Sequence, residues 1–264
     1  MTGTAPCVQS QSKVLTPSRI GEFATPGVND EDETYPFRAD PKGKYYHFET
    51  YVGEGDTQWG VFWGYEERFT ASSTLKSTGA ISYGADNLSN EISVDDELVG
   101  GTRNTAWCEG VTGYGVGEWV NMSIRTKSDY EGKDNEIRFD ELMIVNGYAK
   151  DAITWKNNSR VKILRLYVGG KHWCDLHLND VIKPQIFELK EVGWIFPAKS
   201  GKRITLPEKE AFTNISSFQW EYDIPKTPIY QTDLKFEIIE VYPGEKYDDT
   251  CITGIAVDVY GGLY

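Results

Sequence analysis

The sequence predicts an all-β protein, a jelly-roll β-sandwich preceded by an N-terminal extension. Three observations carry that expectation. Short segments alternate apolar and polar residues with period two, Gly, Pro, Asn and Asp separate them, and no window holds a sustained apolar stripe at 3.6-residue spacing. Many short strands with almost no helix close into a sandwich or a barrel.

Residues 1–44 mix Pro, Gly and acids without a period, as in "ATPGVNDEDETYP". Such a stretch cannot bury enough apolar surface to offset its ordering entropy and reads as a weakly structured lead. Residues 45–68 hold "YYHFETYV" and "QWGVFW", aromatic runs on either side of "GEGDT", a β-hairpin-like extension. Residues 69–264 read as one sandwich domain. In "EWVNMSIR", Val120, Met122 and Ile124 fall on one face and Asn121, Ser123 and Arg125 on the other. "IRFDELMIVNGY", "KHWCDLHL", "SSFQWEYDI", "LKFEIIEVY" and "ITGIAVDVY" are further strand candidates. In "RVKILRLYV" the apolar set changes face between Ile163 and Leu164, which suggests a β-bulge. "YAKDAITWKNN" has room for one helical turn.

Charge narrows the partners. A net charge of -13 repels nucleic acid and anionic lipid, so neither is expected as a ligand. No stretch approaches the roughly 18 to 20 apolar residues of a membrane span. Met1 is followed by neither a basic nor an apolar leader segment, which leaves a cytoplasmic protein or an exported one whose targeting segment has been replaced. In the second case Cys7 is a candidate lipid-bearing cysteine. The four cysteines, Cys7, Cys108, Cys174 and Cys251, lack zinc-site spacing. "HWCDLH" puts His172 and Cys174 on one strand face and His177 on the other, a weak metal motif. A Cys108–Cys251 disulfide is the favoured pairing, although sequence alone does not fix it.

The densest stretch is "AWCEGVTGYGVGEW", residues 106–119. Its G-x-G-x-G lacks the third glycine of a dinucleotide fingerprint and leads into a strand, so no helix N-terminus is offered to a pyrophosphate. Glu109 and Glu118 flank the loop, and paired carboxylates are the equipment of glycoside hydrolysis. Asp95 and Asp96, like Asp248 and Asp249, are adjacent acids of the kind that hold Ca²⁺ from loops, and they are also ordinary solvated residues in an acidic chain. No G-x-S-x-G occurs, and His47, His172 and His177 lie in strand-like runs. Asn146, Gly147 and Tyr148, with Asn157 and Asn158, suit either sugar recognition or turn chemistry.

"GADNL", "TAWCEGVTGYGVGEWVNMSI", "IVNGYAK", "NNSRVKILRL" and "VYPGEKYDDTCI" follow one another in order over residues 84–252. Together they resemble the NADase-type glycan-binding domain, a bacterial branch of the discoidin-like, galactose-binding-like superfamily, over roughly residues 69–260. The resemblance implies a jelly roll that binds carbohydrate and is not an enzyme. It also implies a ligand among loops at one end and a structural Ca²⁺ near them. Trp107, Glu109, Tyr114, Asn146, Tyr148, Tyr247 and Asp249 are the expected glycan contacts, with Asp95 and Asp96 as the Ca²⁺ candidates. The segment "SNEISVDDELVGGTRN" replaces a shorter Asp-Gly turn of the family, and "HWCDLH" and "GWIFPAKSGKRITLPEKEAF" look like insertions.

The leading reading is therefore an exported or envelope-associated binder of a glycan or glycoprotein. The alternative is a structural or protein-interaction module in which the same residues hold loops together. A third is a glycoside hydrolase built on Glu109. Burial decides between the first two, because residues enclosed by one another cannot meet a ligand.

Overall fold

The computed structural model describes residues 13–26, 37–40, 42–47, 65–89, 92–94, 97–127, 138–204 and 229–260. The N-terminal part supplies β1 (Val14–Leu15), β2 (Arg19–Ile20), β3 (Phe23–Pro26), β4 (Phe37–Ala39) and β5 (Tyr45–His47). Then come β6 (Tyr65–Ala71), β7 (Ile92–Val94), β8 (Glu97–Thr102), β9 (Trp107–Cys108), β10 (Trp119–Lys127) and β11 (Arg138–Asn146). The short helix α1 (Ala152–Asn157) occupies the expected helical turn, capped by Asp151, whose side chain accepts from the Thr154 amide. It precedes β12 (Ser159–Val168), β13 (Lys171–His177), β14 (Pro184–Glu188), β15 (Lys202–Ile204), β16 (Ile229–Tyr242) and β17 (Thr250–Tyr260).

The main sheet runs β2-β14-β11-β17-β12-β16-β10-β6. β12 and β17 meet over two residue pairs only, Ser159 with Thr250 and Arg160 with Cys251, so the sheet parts there into two layers. The layers face one another across one core. Leu142, Ile144, Phe187, Ile255 and Val257 come from the first and Val120, Met122, Leu164, Phe236 and Ile238 from the second. The alternation read in β10 holds, with Val120, Met122 and Ile124 fully buried and Asn121, Ser123 and Arg125 partly exposed. The β-bulge also lies where the apolar set changes face, as a register shift between Ile163 and Leu164.

β11 breaks the alternation. Leu142, Met143, Ile144 and Val145 are all fully buried, because this layer is covered on its outer side as well. The cover is a second, five-stranded sheet, β4-β3-β5-β8-β7. Phe23 and Tyr46 from that sheet form a second core with Met143, Val145, Ile186 and Ala256. For its described residues, this corrects the reading of 1–44 as a weakly structured lead. Residues 13–26 form β1 to β3, β2 pairs with β14, and β1 pairs with β13. The strands are two to four residues long, too short to display a period; partners more than 150 residues away order β1 and β2, and β3 pairs with the nearby β4 and β5. Of the expected hairpin at 45–68, Tyr45–His47 pairs with β8 and β3. The "QWGVFW" half lies outside the described residues, as does Cys7.

Two contacts fasten the second sheet. The buried Arg103 guanidinium donates to the Ala149 carbonyl (2.9 Å) and the Gly43 carbonyl (2.8 Å) and stacks 3.6 Å from the Phe23 ring centroid. Tyr46 is fully enclosed, with its hydroxyl wedged between Gly101 of β8 and Gly254 of β17. A Cβ at either glycine would overlap that hydroxyl. Among the described residues the hydroxyl has no hydrogen-bond partner, and burial pushes its pKa well above the ordinary tyrosine value.

An unpartnered buried hydroxyl costs about 1 to 3 kcal/mol, so Tyr46→Phe should leave stability unchanged or raise it. Gly254→Ala should loosen the second sheet by about 1 to 3 kcal/mol of overpacking. Thermal melts of both variants, with limited proteolysis of residues 13–47, check the pair. A large loss of stability in Tyr46→Phe would show that the hydroxyl has a partner.

Candidate functional site

The end of the sandwich is organised by β9. Cys108 lies directly opposite Cys251 of β17, with a Cα separation of 4.1 Å, and the two form a disulfide as expected. Around the bond, Ala106, Tyr148 and both cysteines make a small buried cluster flanked by Leu75 and Tyr83. Strand alternation sends the preceding Trp107 the other way, into the main core. Its indole nitrogen donates to the Ser73 carbonyl at 3.0 Å.

Glu109 follows immediately and is also fully buried. One carboxylate oxygen accepts from the Val111 amide (2.8 Å) and the other from the Thr250 amide (3.2 Å). The side chain therefore ties the glycine-rich loop to the start of β17. The loop passes so close that Gly115, at φ +64, has the Glu109 side chain where a Cβ would sit. Thr250 completes the knot by donating its hydroxyl to the Tyr114 carbonyl at 2.8 Å. Burial raises the Glu109 pKa above the usual carboxylate value, the two amide bonds oppose that, and the Asp249 and Glu118 carboxylates add to it.

Asn146 is likewise enclosed. Its side-chain amide donates to the Val161 carbonyl (2.7 Å) and its carbonyl accepts from the Val161 amide (3.0 Å), a copy of a strand pairing where β11 ends beside β12. The Tyr148 hydroxyl donates to the Asn104 carbonyl at 2.8 Å, and its ring meets Tyr83 edge-on. Trp155 donates to the Asn146 carbonyl at 3.0 Å. Arg160 lies 4.6 Å from the Trp155 ring centroid and pairs with Asp180.

Four of the seven expected contacts, Trp107, Glu109, Asn146 and Tyr148, are thus buried and satisfied by the protein itself. The remaining three face outward. Tyr114 and Tyr247 are 41% and 42% exposed, and Asp249 is partly so. The Tyr114 carbonyl is bonded to Thr250, three residues past Tyr247, so both tyrosines stand on the same rim within about 10 Å of backbone. Val111 and Val116 stand on the glycine-rich loop beside them and are exposed. Glu109, on which the glycosidase alternative is built, has both carboxylate oxygens engaged by backbone amides and is fully buried. Glu118 accepts from the Ser72 hydroxyl at 2.7 Å.

Asp95 and Asp96 lie outside the described residues. Among the described residues no group of three or more His, Cys, Asp or Glu is placed to hold a metal ion. In "HWCDLH", Cys174 is buried, while His172 lies 3.0 Å from an Asp175 oxygen in a carboxylate also held by Arg165. Ser72 and Ser73 are partners that motif reading missed, because they lie outside every motif and no local spacing marks them. Thr250 lies inside "VYPGEKYDDTCI" and supplies an amide to Glu109 and a hydroxyl to the Tyr114 carbonyl.

No curated protein matches the chain. Among solved structures, a cryo-EM structure of the arabinofuranosyltransferase AftD from Mycobacteria matches at 13% identity and a TM-score of 0.35, covering 95% of this chain and 16% of that one. The chain spans a small part of that protein, and so low a score carries no argument. The family described as NAD glycohydrolase translocation F5/8 type C domain matches residues 63–258, and the chain belongs to that family.

Glu109→Ala should orphan two buried amides and lower stability by about 2 to 4 kcal/mol. Removing the disulfide as Cys108→Ala with Cys251→Ala, which opens a 143-residue separation, should cost about 4 to 5 kcal/mol. Denaturant titrations measure both. The pH response of Glu109 has a definite sign. A carboxyl raised on folding binds its proton more tightly in the folded state, so its ionisation cost is present above the folded pKa and relieved as pH falls toward about 4.3. Wild type should therefore gain stability relative to Glu109→Gln on mild acidification, and melting curves of the two proteins across that range decide the matter.

Proposed function

We propose that this family member is a non-catalytic glycan-binding module whose binding surface is the rim formed by Tyr114, Tyr247 and Asp249. The observation that supports this most directly is the contrast within one loop cluster. Buried polar groups fix the backbone from below, while two tyrosines project their rings from it into solvent. Flat, amphipathic rings held at low entropic cost suit the faces of sugar rings, and a neighbouring carboxylate supplies directional acceptors. Such a shallow site supports millimolar to micromolar affinity, about 4 to 8 kcal/mol.

A protein-interaction role is the second reading, favoured by the exposure of Val111 and Val116 beside the tyrosines. Export to the cell surface or envelope fits either reading, because a disulfide persists in oxidising compartments. No helix among the described residues is long and apolar enough to cross a membrane. Asp95 and Asp96, the Ca²⁺ candidates, lie outside the described residues, and no part of this reading runs through that ion.

A glycan array followed by titration with free sugars tests the proposal. Tyr114→Ala and Tyr247→Ala should each weaken binding about tenfold, by loss of one stacking face, without shifting the melting temperature. Silence across every glycan class, with and without Ca²⁺, would leave the interaction module standing.

A further inference from the structure

The two tyrosines of the rim are held in different ways. Tyr247 is fixed from below, because its own amide donates to the Asn157 carbonyl at 2.8 Å and the Gly244 amide donates to the Ser159 hydroxyl at 3.0 Å. Tyr114 depends on the junction of β9 with β17. Its loop is anchored elsewhere at Gly110, whose amide donates to the Ser73 hydroxyl at 3.0 Å, and at Gly117, whose amide donates to the Ile238 carbonyl at 2.8 Å. Between those points it is tied through the Val111 amide to Glu109 and through the Tyr114 carbonyl to Thr250. Both ties hang on Cys108 and Cys251, the chain neighbours of Glu109 and Thr250, which are joined covalently within a pairing only two residues long. The bond is also enclosed. Cys108 and Cys251 are 1% and 0% exposed, the Cys108 amide and carbonyl are bonded to Tyr83 and Leu75, and Tyr148 packs in the same cluster with its ring edge-on to Tyr83. A thiolate must reach a disulfide sulfur to exchange with it, so closure of this cluster shields the bond.

From this arrangement we infer that the disulfide is a redox latch for the rim. Only the oxidised chain docks the Tyr114 segment beside Tyr247, and once folded it keeps its bond in the presence of thiols. Closing the latch requires a small-molecule or protein disulfide as oxidant. One cysteine thiolate attacks a sulfur of that disulfide and releases one thiol, and the other cysteine thiolate then displaces the second thiol from the mixed disulfide. The chain gives up two electrons and two protons, and the oxidant takes up both. The reduced chain retains the sandwich, because the main core between the layers contains neither Cys108 nor Cys251. The inference rests on the rim being the binding surface, as proposed above, but it is tested without any ligand, so either reading can fail alone.

The test is amide hydrogen exchange, followed by NMR on the whole chain in three forms. These are the oxidised protein, the protein reduced in denaturant and refolded in dithiol, and the double variant Cys108→Ala with Cys251→Ala. Alkylation and peptide mapping report the state of the two cysteines. The Val111 and Thr250 amides should exchange at least about tenfold faster in the reduced protein and in the variant, while Gly117, Tyr247 and Ile238 keep their protection. Glutathione disulfide should restore slow exchange to the reduced protein and leave the variant unchanged. The native oxidised protein should keep its bond through hours in dithiol. Equal protection of Val111 and Thr250 in the oxidised and reduced chains overturns the latch. Fast exchange that spreads to Gly117, Tyr247 and Ile238 overturns it too, since the bond would then hold the whole fold and not the rim. Reduction of the native protein within minutes overturns the shielding.

Discussion

The closure of β9 against β17 through Cys108 and Cys251 is the constraint on which the end of this sandwich depends. β9 is only two residues long, yet it serves two cores. Trp107 goes inward between the layers, and Cys108 goes outward beneath Tyr148. Two residues of strand pairing could not hold that position alone. The covalent bond does so and brings Thr250 within hydrogen-bond reach of Glu109 and of the Tyr114 carbonyl.

The polar residues gathered there share a method. Asn146 offers an amide donor and an amide acceptor to Val161, and Glu109 offers two oxygens to two backbone amides, so each side chain finishes hydrogen bonding that the strands leave incomplete. Buried polar groups satisfied in this way rigidify a structure, whereas a missing member leaves its partner exposed to the full desolvation penalty. Their chemical identity is thus fixed by the backbone beneath, and the tyrosines above are free of that duty.

This division explains what could be read from the sequence. The alternation of β10, the bulge in β12 and the helical turn at α1 were legible because each is local, whereas the disulfide joins residues 143 apart and was favoured by the sequence without being fixed by it. Trp107, Glu109, Asn146 and Tyr148 were legible as a group that matters, but not in their role, since an amide or a carboxylate beside glycine suits a ligand and a turn equally. Their partners decide, and Ser73, Val161, Asn104 and Thr250 lie between 15 and 141 residues away. The four buried apolar positions in a row along β11, Leu142 to Val145, had the same origin. Burial on both faces required a second sheet, whose short strands gave no periodic signal.

The pairing of β1 with β13 and of β2 with β14 also sets an order of events during synthesis. Val14 waits for Asp175 and Arg19 for Ile186, while Cys108 waits for Cys251. A growing chain therefore carries its first strands, with their apolar residues uncovered, until almost the whole sandwich has been made. Topologies dominated by such distant pairings close slowly.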